Sequence, residues 1–387
     1  MQILTFSSLY PNNVDPSHGI FVERRLRELI SRTSIRSTVV APVPWFPFRG
    51  RIFGRYGEMA AVFRRECRSG VEVFHNRYPL IPRIGMNLAP RLMARGSRHL
   101  VRDCIDKNDV ALIDAHYFYP DGVAAALLAR ELGLPYCITA RGSDINLIAR
   151  YESPRRQMLQ AARGASALIA VSQALADAMR ELGMSAEKIH VLRNGVDLDF
   201  FCPADQAGND GDSPPGQLTF LSVGALKAAK GHDKAIRFIA QMPQTHLVVV
   251  GRGPEKAALH DLANELRVSE RVTFTGTLDP DALRAQYRQA DALILMSERE
   301  GMPNVILESL ACGTPVLATA VGGIPELLSE SCCGETVASR DAAGLAGAWR
   351  NLSQRGINRD RIRHSAMRFS WQDTIEKLST LMVEKVA

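Results

Sequence analysis

The chain has 387 residues, 46% hydrophobic and 23% charged, and 47 lysines and arginines stand against 41 acidic residues for a formal charge of +6. That length suits two globular cores rather than one, and the composition excludes a disordered or collagen-like chain. No run of about 18 apolar residues exists, which excludes a membrane-spanning helix.

The seven cysteines form no C-x-x-C pair and the nine histidines no H-x-x-x-H or H-E-x-x-H cluster, so neither a disulfide framework nor a metal site is expected. The N-terminal Met-Gln-Ile-Leu-Thr-Phe-Ser-Ser lacks a basic region and reads as a first strand rather than a signal peptide, so a cytoplasmic location is expected. Residues 1–110 carry 18 Lys and Arg against 9 Asp and Glu, so the first half is the part expected to meet an anionic partner; a nucleic-acid partner is not expected.

Ile3–Ser7 reads as a buried strand, and the turn-forming loop Tyr10–Gly19 leads into a helical pattern from Ile20. That pattern sets Phe21, Leu26, Leu29 and Ile30 on one side and Glu23, Arg24, Arg25, Arg27 and Glu28 on the other. Thr38–Ala41 is a second strand, followed by Pro-Val-Pro-Trp-Phe-Pro-Phe-Arg-Gly-Arg-Ile-Phe-Gly-Arg-Tyr. Between Arg49 and Arg102 twelve arginines face only Glu58, Glu66 and Glu72. Interleaved rings and guanidinium groups suit a membrane interface, and equally a solvated lid loop; both readings stand.

Val71–Phe74 is a strand and Leu88–Asp106 a basic helix. Ala111–Asp114 is a strand that delivers His116 beyond its carboxyl end, where open α/β sheets place their ligands. A helix over Val123–Leu132 and a strand over Tyr136–Ala140 follow, then Arg141-Gly-Ser-Asp144. There Arg141 can hold a phosphate through its fork, and Asp144 can touch a ligand or cap a helix. Ala167–Val171 is a strand, with Ser172 as N-cap of the helix Gln173–Leu182. Asp197-Leu-Asp199 reads as solvated linker rather than a metal motif, and residues 201–217 as a polar linker without a core.

A second alternation of strands and helices starts at Leu218–Val223 and enters Gly224, with Lys230 placed to counter a diphosphate. His246–Val250 ends in the turn Gly251-Arg-Gly253, which lacks the third glycine of a nicotinamide site. Val272–Gly276, Asp281–Gln289 and Ala292–Met296 are strand, helix and strand. The stretch Ser297–Thr319 then reads as loop, helix and buried strand, with Pro303 at the first helical position, Gly313 just past the end and Pro315 beyond it.

Glu300, Gly301, Met302, Pro303, Asn304 and Val305 thus surround a helix N-terminus, whose amides attract a diphosphate. Glu308, eight residues beyond Glu300, would lie about 12 Å away along a continuous helix, suiting the two ends of one extended ligand. The C-terminal Phe369–Val386 is amphipathic and expected to pack back across the domains.

The stretch Glu300-Gly-Met-Pro-Asn-Val-Ile-Leu-Glu308, followed by Gly-Thr-Pro-Val-Leu-Ala-Thr, resembles the signature of the retaining GT-B glycosyltransferases of family 4, and the likeness extends over nearly the whole chain. It implies an α/β fold of two Rossmann-like domains with parallel sheets facing an interdomain cleft: residues 1–200 on the acceptor side with helix 369–387 packed back on it, and residues 218–368 binding the nucleotide sugar. It implies transfer of a sugar from a UDP- or GDP-sugar to a hydroxyl acceptor in exopolysaccharide or cell-envelope glycan synthesis, and the basic aromatic stretch suggests a lipid-linked or oligosaccharide acceptor. Retention at the anomeric carbon is implied as well. No cofactor or metal is expected, and peripheral contact at the inner face of the membrane fits the basic aromatic loop.

By the same resemblance Glu300 holds sugar hydroxyls and Glu308 the ribose diol. Lys230 and the amides at Gly301–Asn304 stabilise the leaving diphosphate. Gly224, Gly251 and Gly253 approach the nucleotide, and Leu278 its base. Gly19, His116, Arg141 and Asp144 border the sugar from the first domain; the catalytic set is Glu300, His116 and Lys230. The chain departs from the family pattern at three points: Gly19 stands alone where paired glycines are common, Arg141 replaces a histidine, and Ala225 replaces an arginine. A nucleotide-sugar 2-epimerase of the same architecture stays open as an alternative, as does a non-catalytic two-domain binding protein, which would require an export signal.

Overall fold

A computed structural model describes residues 1–46, 54–80, 85–204 and 217–386, the side chains of residues 55 and 56 excepted. The arginines of the aromatic loop, Arg49, Arg51 and the Arg55 side chain, and residues 205–216 of the expected linker lie outside the described residues. The chain divides into two compact units, residues 1–194 with 372–387 and residues 195–371. Among the described residues no helix is long and apolar enough to cross a membrane.

The first unit is built on β1 (Gln2–Phe6), β2 (Arg36–Val40), β3 (Val43–Trp45), β4 (Arg65–Arg68), β5 (Val71–Phe74), β6 (Arg77–Pro79), β7 (Val110–His116), β8 (Tyr136–Ala140), β9 (Ala167–Ala170) and β10 (Ile189–Val191). Its main sheet runs β10-β9-β8-β7-β1-β2-β5-β4, with β3 and β6 paired apart. Every neighbour in the main sheet is parallel except β4, which returns on β5 through Ser69 and Gly70, both at positive φ. Helices cover both faces of a parallel sheet, so its strands are apolar throughout. Ile3, Leu4 and Phe6 of β1 are buried, as are Leu112, Ile113 and Ala115 of β7. The C-terminal helix Trp371–Glu384 runs from the end of the second unit into this one, burying Ile375, Leu378 and Met382.

The second unit holds β11 (Leu218–Val223), β12 (Thr245–Val250), β13 (Val272–Gly276), β14 (Ala292–Leu295), β15 (Val316–Thr319) and β16 (Gly334–Val337), all parallel, in the order β13-β12-β11-β14-β15-β16. Phe220 packs edge-on against Phe238 and Trp349 at 5.1 and 5.0 Å, tying the helices 232–241 and 342–355 to one face. Residues 197–202 belong to this unit: Arg363 donates to the carbonyls of Leu198 and Phe201, Arg288 to that of Cys202, and Arg284 lies over the Phe200 ring.

The strand order of the second unit is that of the Rossmann fold, and β5-β2-β1-β7-β8-β9 repeats it in the first. Strand order reverses between β1 and β7 in one unit and between β11 and β14 in the other. Such a reversal sends the two following connections to opposite faces of the sheet, and open α/β sheets bind ligands at the strand ends there.

Candidate active site

At the reversal point of the second unit the loops after β11 and β14 are held together by glycine. Gly231 sits at φ 72, and a Cβ there would come within 2.2 Å of the Met296 carbonyl, so only glycine lets the first loop lie against the end of β14. That approach places Lys230, at the end of the short helix Ala228–Lys230, beside Glu300: Nζ lies 2.6 Å from Oε1, and the Ser297 hydroxyl donates to the same oxygen at 2.6 Å. The loop after β15 closes over the pair. Gly322 is at φ 56 with its Cβ position 2.0 Å from the Glu300 carbonyl, and the Gly323 amide donates to the Gly301 carbonyl.

The neighbouring turns follow the same rule. A Cβ on Gly251 would meet the Gly224 carbonyl at 1.9 Å, and one on Gly253 the Leu226 carbonyl at 2.3 Å, so the turn after β12 nests into that after β11. Leu278 is half-buried just beyond β13.

The helix spans Asn304–Ala311, with Pro303 at the cap position and no side-chain cap bond. Pro303 is therefore one place earlier than the first helical position read from sequence. Glu308 is consequently the fifth helical residue, about 6 Å along the axis from Asn304. The continuous eight-residue helical rise expected between the two glutamates is not present, because residues 297–303 are loop. Gly301, Met302 and Pro303 are buried, while Asn304 and Val305 are half-buried. Glu308 is only 4% exposed, and Oε2 accepts from the Tyr287 hydroxyl at 2.9 Å.

His232 was not singled out from sequence. It is buried behind Lys230, where Nδ1 meets the Ser222 hydroxyl at 2.9 Å and Nε2 the Ala225 carbonyl at 3.3 Å. Burial pushes its pKa down to about 4, so a neutral ring ties β11 to its own loop. The sign lay in the sequence: a histidine straight after a loop glycine and a serine at the end of a buried strand.

In the first unit His116 is the last residue of β7 rather than beyond it, and is 1% exposed. Asp114, two residues back on the same face, lies 2.9 Å from Nε2, and the Arg141 guanidinium meets Nδ1. A guanidinium only donates, so Nδ1 accepts and Nε2 carries the proton given to Asp114. Burial lowers the His116 pKa to about 4, and the ring is neutral. Burial acts to raise Asp114, but His116, Arg25 and Arg141 outweigh it and hold the carboxylate below its usual range.

Arg25 corrects the helical reading. It lies on the helix Ile20–Arg32 but is 3% exposed, with Nη1 donating to Thr139 at 3.0 Å and Nη2 3.6 Å from Asp114; Glu23 and Glu28 are buried as well. The polar side of that helix covers a polar strand end, which a pattern of apolar positions does not reveal.

Asp144 is fully buried, and its carboxylate accepts from the amides of Phe118, Arg141, Gly142 and Ile145 at 2.8–3.1 Å, so its oxygens shape the loop around Arg141. Gly19, at φ 64, opens the helix Ile20–Arg32, where a Cβ would strike the Leu9 backbone at 2.3 Å. A further buried acid, Asp121, accepts from the amide and hydroxyl of Ser8 and joins the loop after β1 to that after β7. Burial raises its pKa to about 7.

The structure thus gathers Gly224, Lys230, Gly251, Gly253, Glu300 and Gly301 at one reversal point and His116, Arg141 and Asp144 at the other. Glu308 is turned to Tyr287. Among the described residues no group of three or more His, Cys, Asp or Glu could hold a metal, and Asp197 and Asp199 form a local turn in which Asp197 accepts from the amides of Asp199 and Phe200.

Two Rossmann-like units in one chain, each with loops at its reversal point, are the architecture of the GT-B class, to which glycosyltransferases belong. Residues 79–200 match the family model described as Glycosyltransferase Family 4, and residues 205–369 the model described as Glycosyl transferases group 1. The chain belongs to the family 4-type GT-B glycosyltransferases.

It is 29% identical over 341 residues to a putative teichuronic acid biosynthesis glycosyltransferase, TuaC, of Bacillus subtilis, covering 85% of this chain and 84% of that one. It is 35% identical over 212 residues to a D-inositol 3-phosphate glycosyltransferase of Acidothermus cellulolyticus, a match spanning 50% of this chain and 47% of that enzyme. Among solved structures, sucrose-phosphate synthase from Thermosynechococcus elongatus superposes with a TM-score of 0.80 at 19% identity, covering 99% and 98% of the two chains. Anabaena Alr3699/HepE in complex with UDP gives 0.72 at 22%, covering 99% and 100%. At these identities the structural likeness is one of fold.

Proposed function

We propose that this glycosyltransferase moves a sugar from a UDP- or GDP-sugar to a hydroxyl acceptor with retention at the anomeric carbon, in exopolysaccharide or cell-envelope glycan synthesis. The observation that carries the reading is the Lys230–Glu300 pair at 2.6 Å beside an uncapped helix start and nested glycine turns. A cation and a carboxylate at one point match the two ends of the reacting bond. Lys230 and the backbone amides of Gly301, Met302 and Asn304 would take the charge that grows on the diphosphate as its oxygen leaves the anomeric carbon, Pro303 having no N–H to give. Glu300 would hold hydroxyls of the sugar, and no metal is required. The donor is supported by the structural neighbours Alr3699/HepE, described in complexes with UDP and with UDP-glucose.

The acceptor oxygen bonds to the anomeric carbon on the face the diphosphate leaves, the bond from that carbon to the diphosphate oxygen breaks, and the acceptor's proton passes to the departing diphosphate. In this reading the first unit receives the acceptor, with Gly19, His116, Arg141 and Asp144 around it. His116 acts there through Arg141, since both of its nitrogens are engaged. Glu308 and Leu278 would serve the ribose and base, and the basic residues before Arg102 a membrane-borne acceptor. Screening uridine and guanosine diphosphate sugars for protection against heating, then measuring acceptor-dependent release of nucleoside diphosphate, tests the reading. It fails if no nucleotide raises the melting temperature, or if release is complete with donor alone, as a 2-epimerase would give.

A further inference from the structure

Arg141 is a cation without a carboxylate of its own. Of its five N–H groups, one on Nη1 donates to Asn194 at 3.2 Å and one on Nη2 to His116 Nδ1. Nε is shielded from solvent and has no hydrogen-bond partner, and the guanidinium lies 5.0 Å over the Phe21 ring. The acids around it are committed elsewhere: Asp114 to Arg25 and His116, and Asp144 to four backbone amides. Burial and the neighbouring Arg25 outweigh the pull of Asp114 and Asp144 and lower the Arg141 pKa to about 9, so the group is charged at neutral pH but poorly compensated. A half-buried guanidinium that loses hydration without gaining a carboxylate is costly, and the N–H groups left on Nη1 and Nη2 form a planar fork that suits a phosphate or carboxylate. Phe21, His116 and Asn194 hold that fork in place.

We propose that Arg141 recognises an anionic group, phosphate or carboxylate, on the ligand that the first unit binds. This rests on the reading that the first unit takes the acceptor, and it makes that acceptor a phosphorylated or carboxylated glycan or glycolipid rather than a neutral one. A histidine at this position, neutral once buried, could not supply the charge, so the departure from the family pattern has a chemical content.

The test uses full-length protein saturated with whichever nucleoside diphosphate stabilises it, so that anions do not report on the donor site. Glucose 1-phosphate, glucuronate and methyl glucoside are titrated by calorimetry into the wild type, Arg141→Gln and Arg141→Lys. The wild type is expected to bind one of the two anions at least tenfold more tightly than the neutral glucoside, and the preferred anion separates phosphate from carboxylate recognition. Arg141→Gln should bring the three within about threefold, and Arg141→Lys, which keeps the charge but loses the fork, should fall between. A wild type that does not discriminate overturns the proposal, as does an Arg141→Gln protein that melts normally and keeps the preference. The donor reading is scored separately by nucleotide protection, which depends on Lys230. If that protection is absent, the same titrations run in Lys230→Ala, where the Arg141-dependent preference is still expected and its absence counts against the proposal.

Discussion

Replacing Lys230 with alanine separates a catalytic role from a structural one. The Lys230–Glu300 pair is partly open to solvent, with side chains 31% and 11% exposed, so its contribution to folding is screened and amounts to about 0.2–1 kcal/mol. In a protein of this size that lowers the melting temperature by no more than about 4 °C. Glu300 keeps the Ser297 hydroxyl at 2.6 Å, which limits the damage. The transition state offers no such substitute. Ala225 brings no charge to the turn after β11, so in the proposed reading Lys230 is the side chain of that turn that meets the diphosphate, and loss of one preorganised donor costs about 2.7–4 kcal/mol, or roughly 100- to 1,000-fold in kcat. The assay is nucleoside diphosphate release at saturating donor, alongside thermal melting. A folded Lys230→Ala protein turning over within threefold of the wild type would refute the assignment.

Gly251→Ala places a methyl 1.9 Å from the Gly224 carbonyl at a φ of 146, so it is expected to destabilise the second unit by about 3 kcal/mol and to abolish protection by nucleotide, read by urea unfolding with and without ligand. Asp121→Asn should be stabilising in a pH-dependent manner. The folded pKa of about 7 lies above the ordinary 3.8, so between those values the folded state binds more protons and wild-type stability falls as pH rises. The near-isosteric amide removes that penalty. The difference between variant and wild type should be close to zero at pH 4 and grow to at most about 4 kcal/mol by pH 8, at 1.36 kcal/mol per pH unit, measured by melting across the range. A gap that does not change with pH would show that Asp121 is not buried as an acid.

Much of the architecture could be read from residues alone, because parallel strands covered on both faces are continuous apolar runs. Val71–Phe74, Tyr136–Ala140 and Leu218–Val223 begin and end where the pattern places them. Arg65–Arg68 escaped notice because it is an edge strand, where exposed charge guards against further pairing and hides the strand signal. Loops that end strands were legible through their glycines, whereas the partners of the site residues were not. Arg25, Asp114, Ser297, Tyr287 and His232 reach their neighbours across 3 to 114 positions of sequence, and no local periodicity encodes such contacts. The separation of Glu300 and Glu308 was misjudged for a related reason: helical geometry was carried back through Glu300–Pro303, four residues that the structure leaves as loop.

In the proposed reading, the contact between Lys230 and Glu300 would also couple recognition of the two halves of the donor. Without ligand, the ammonium neutralises the carboxylate at 2.6 Å. An arriving diphosphate competes for that ammonium, and each step that draws Lys230 away leaves Glu300 Oε1 with only the Ser297 hydroxyl and readier to accept from the sugar. A nucleoside diphosphate lacking the sugar therefore has to weaken an ion pair without the compensating bonds that a full donor makes. Glu300→Gln removes the competing charge while keeping the shape. It should tighten nucleoside diphosphate binding by about 1.5- to 5-fold, the equivalent of about 0.2–1 kcal/mol, while turnover falls because the sugar loses a charged acceptor. Calorimetry with the nucleoside diphosphate and steady-state rates with the full donor measure the two effects. Weaker nucleotide binding in this variant would mean that Glu300 does not hold Lys230 in check, and the coupling would have to be abandoned.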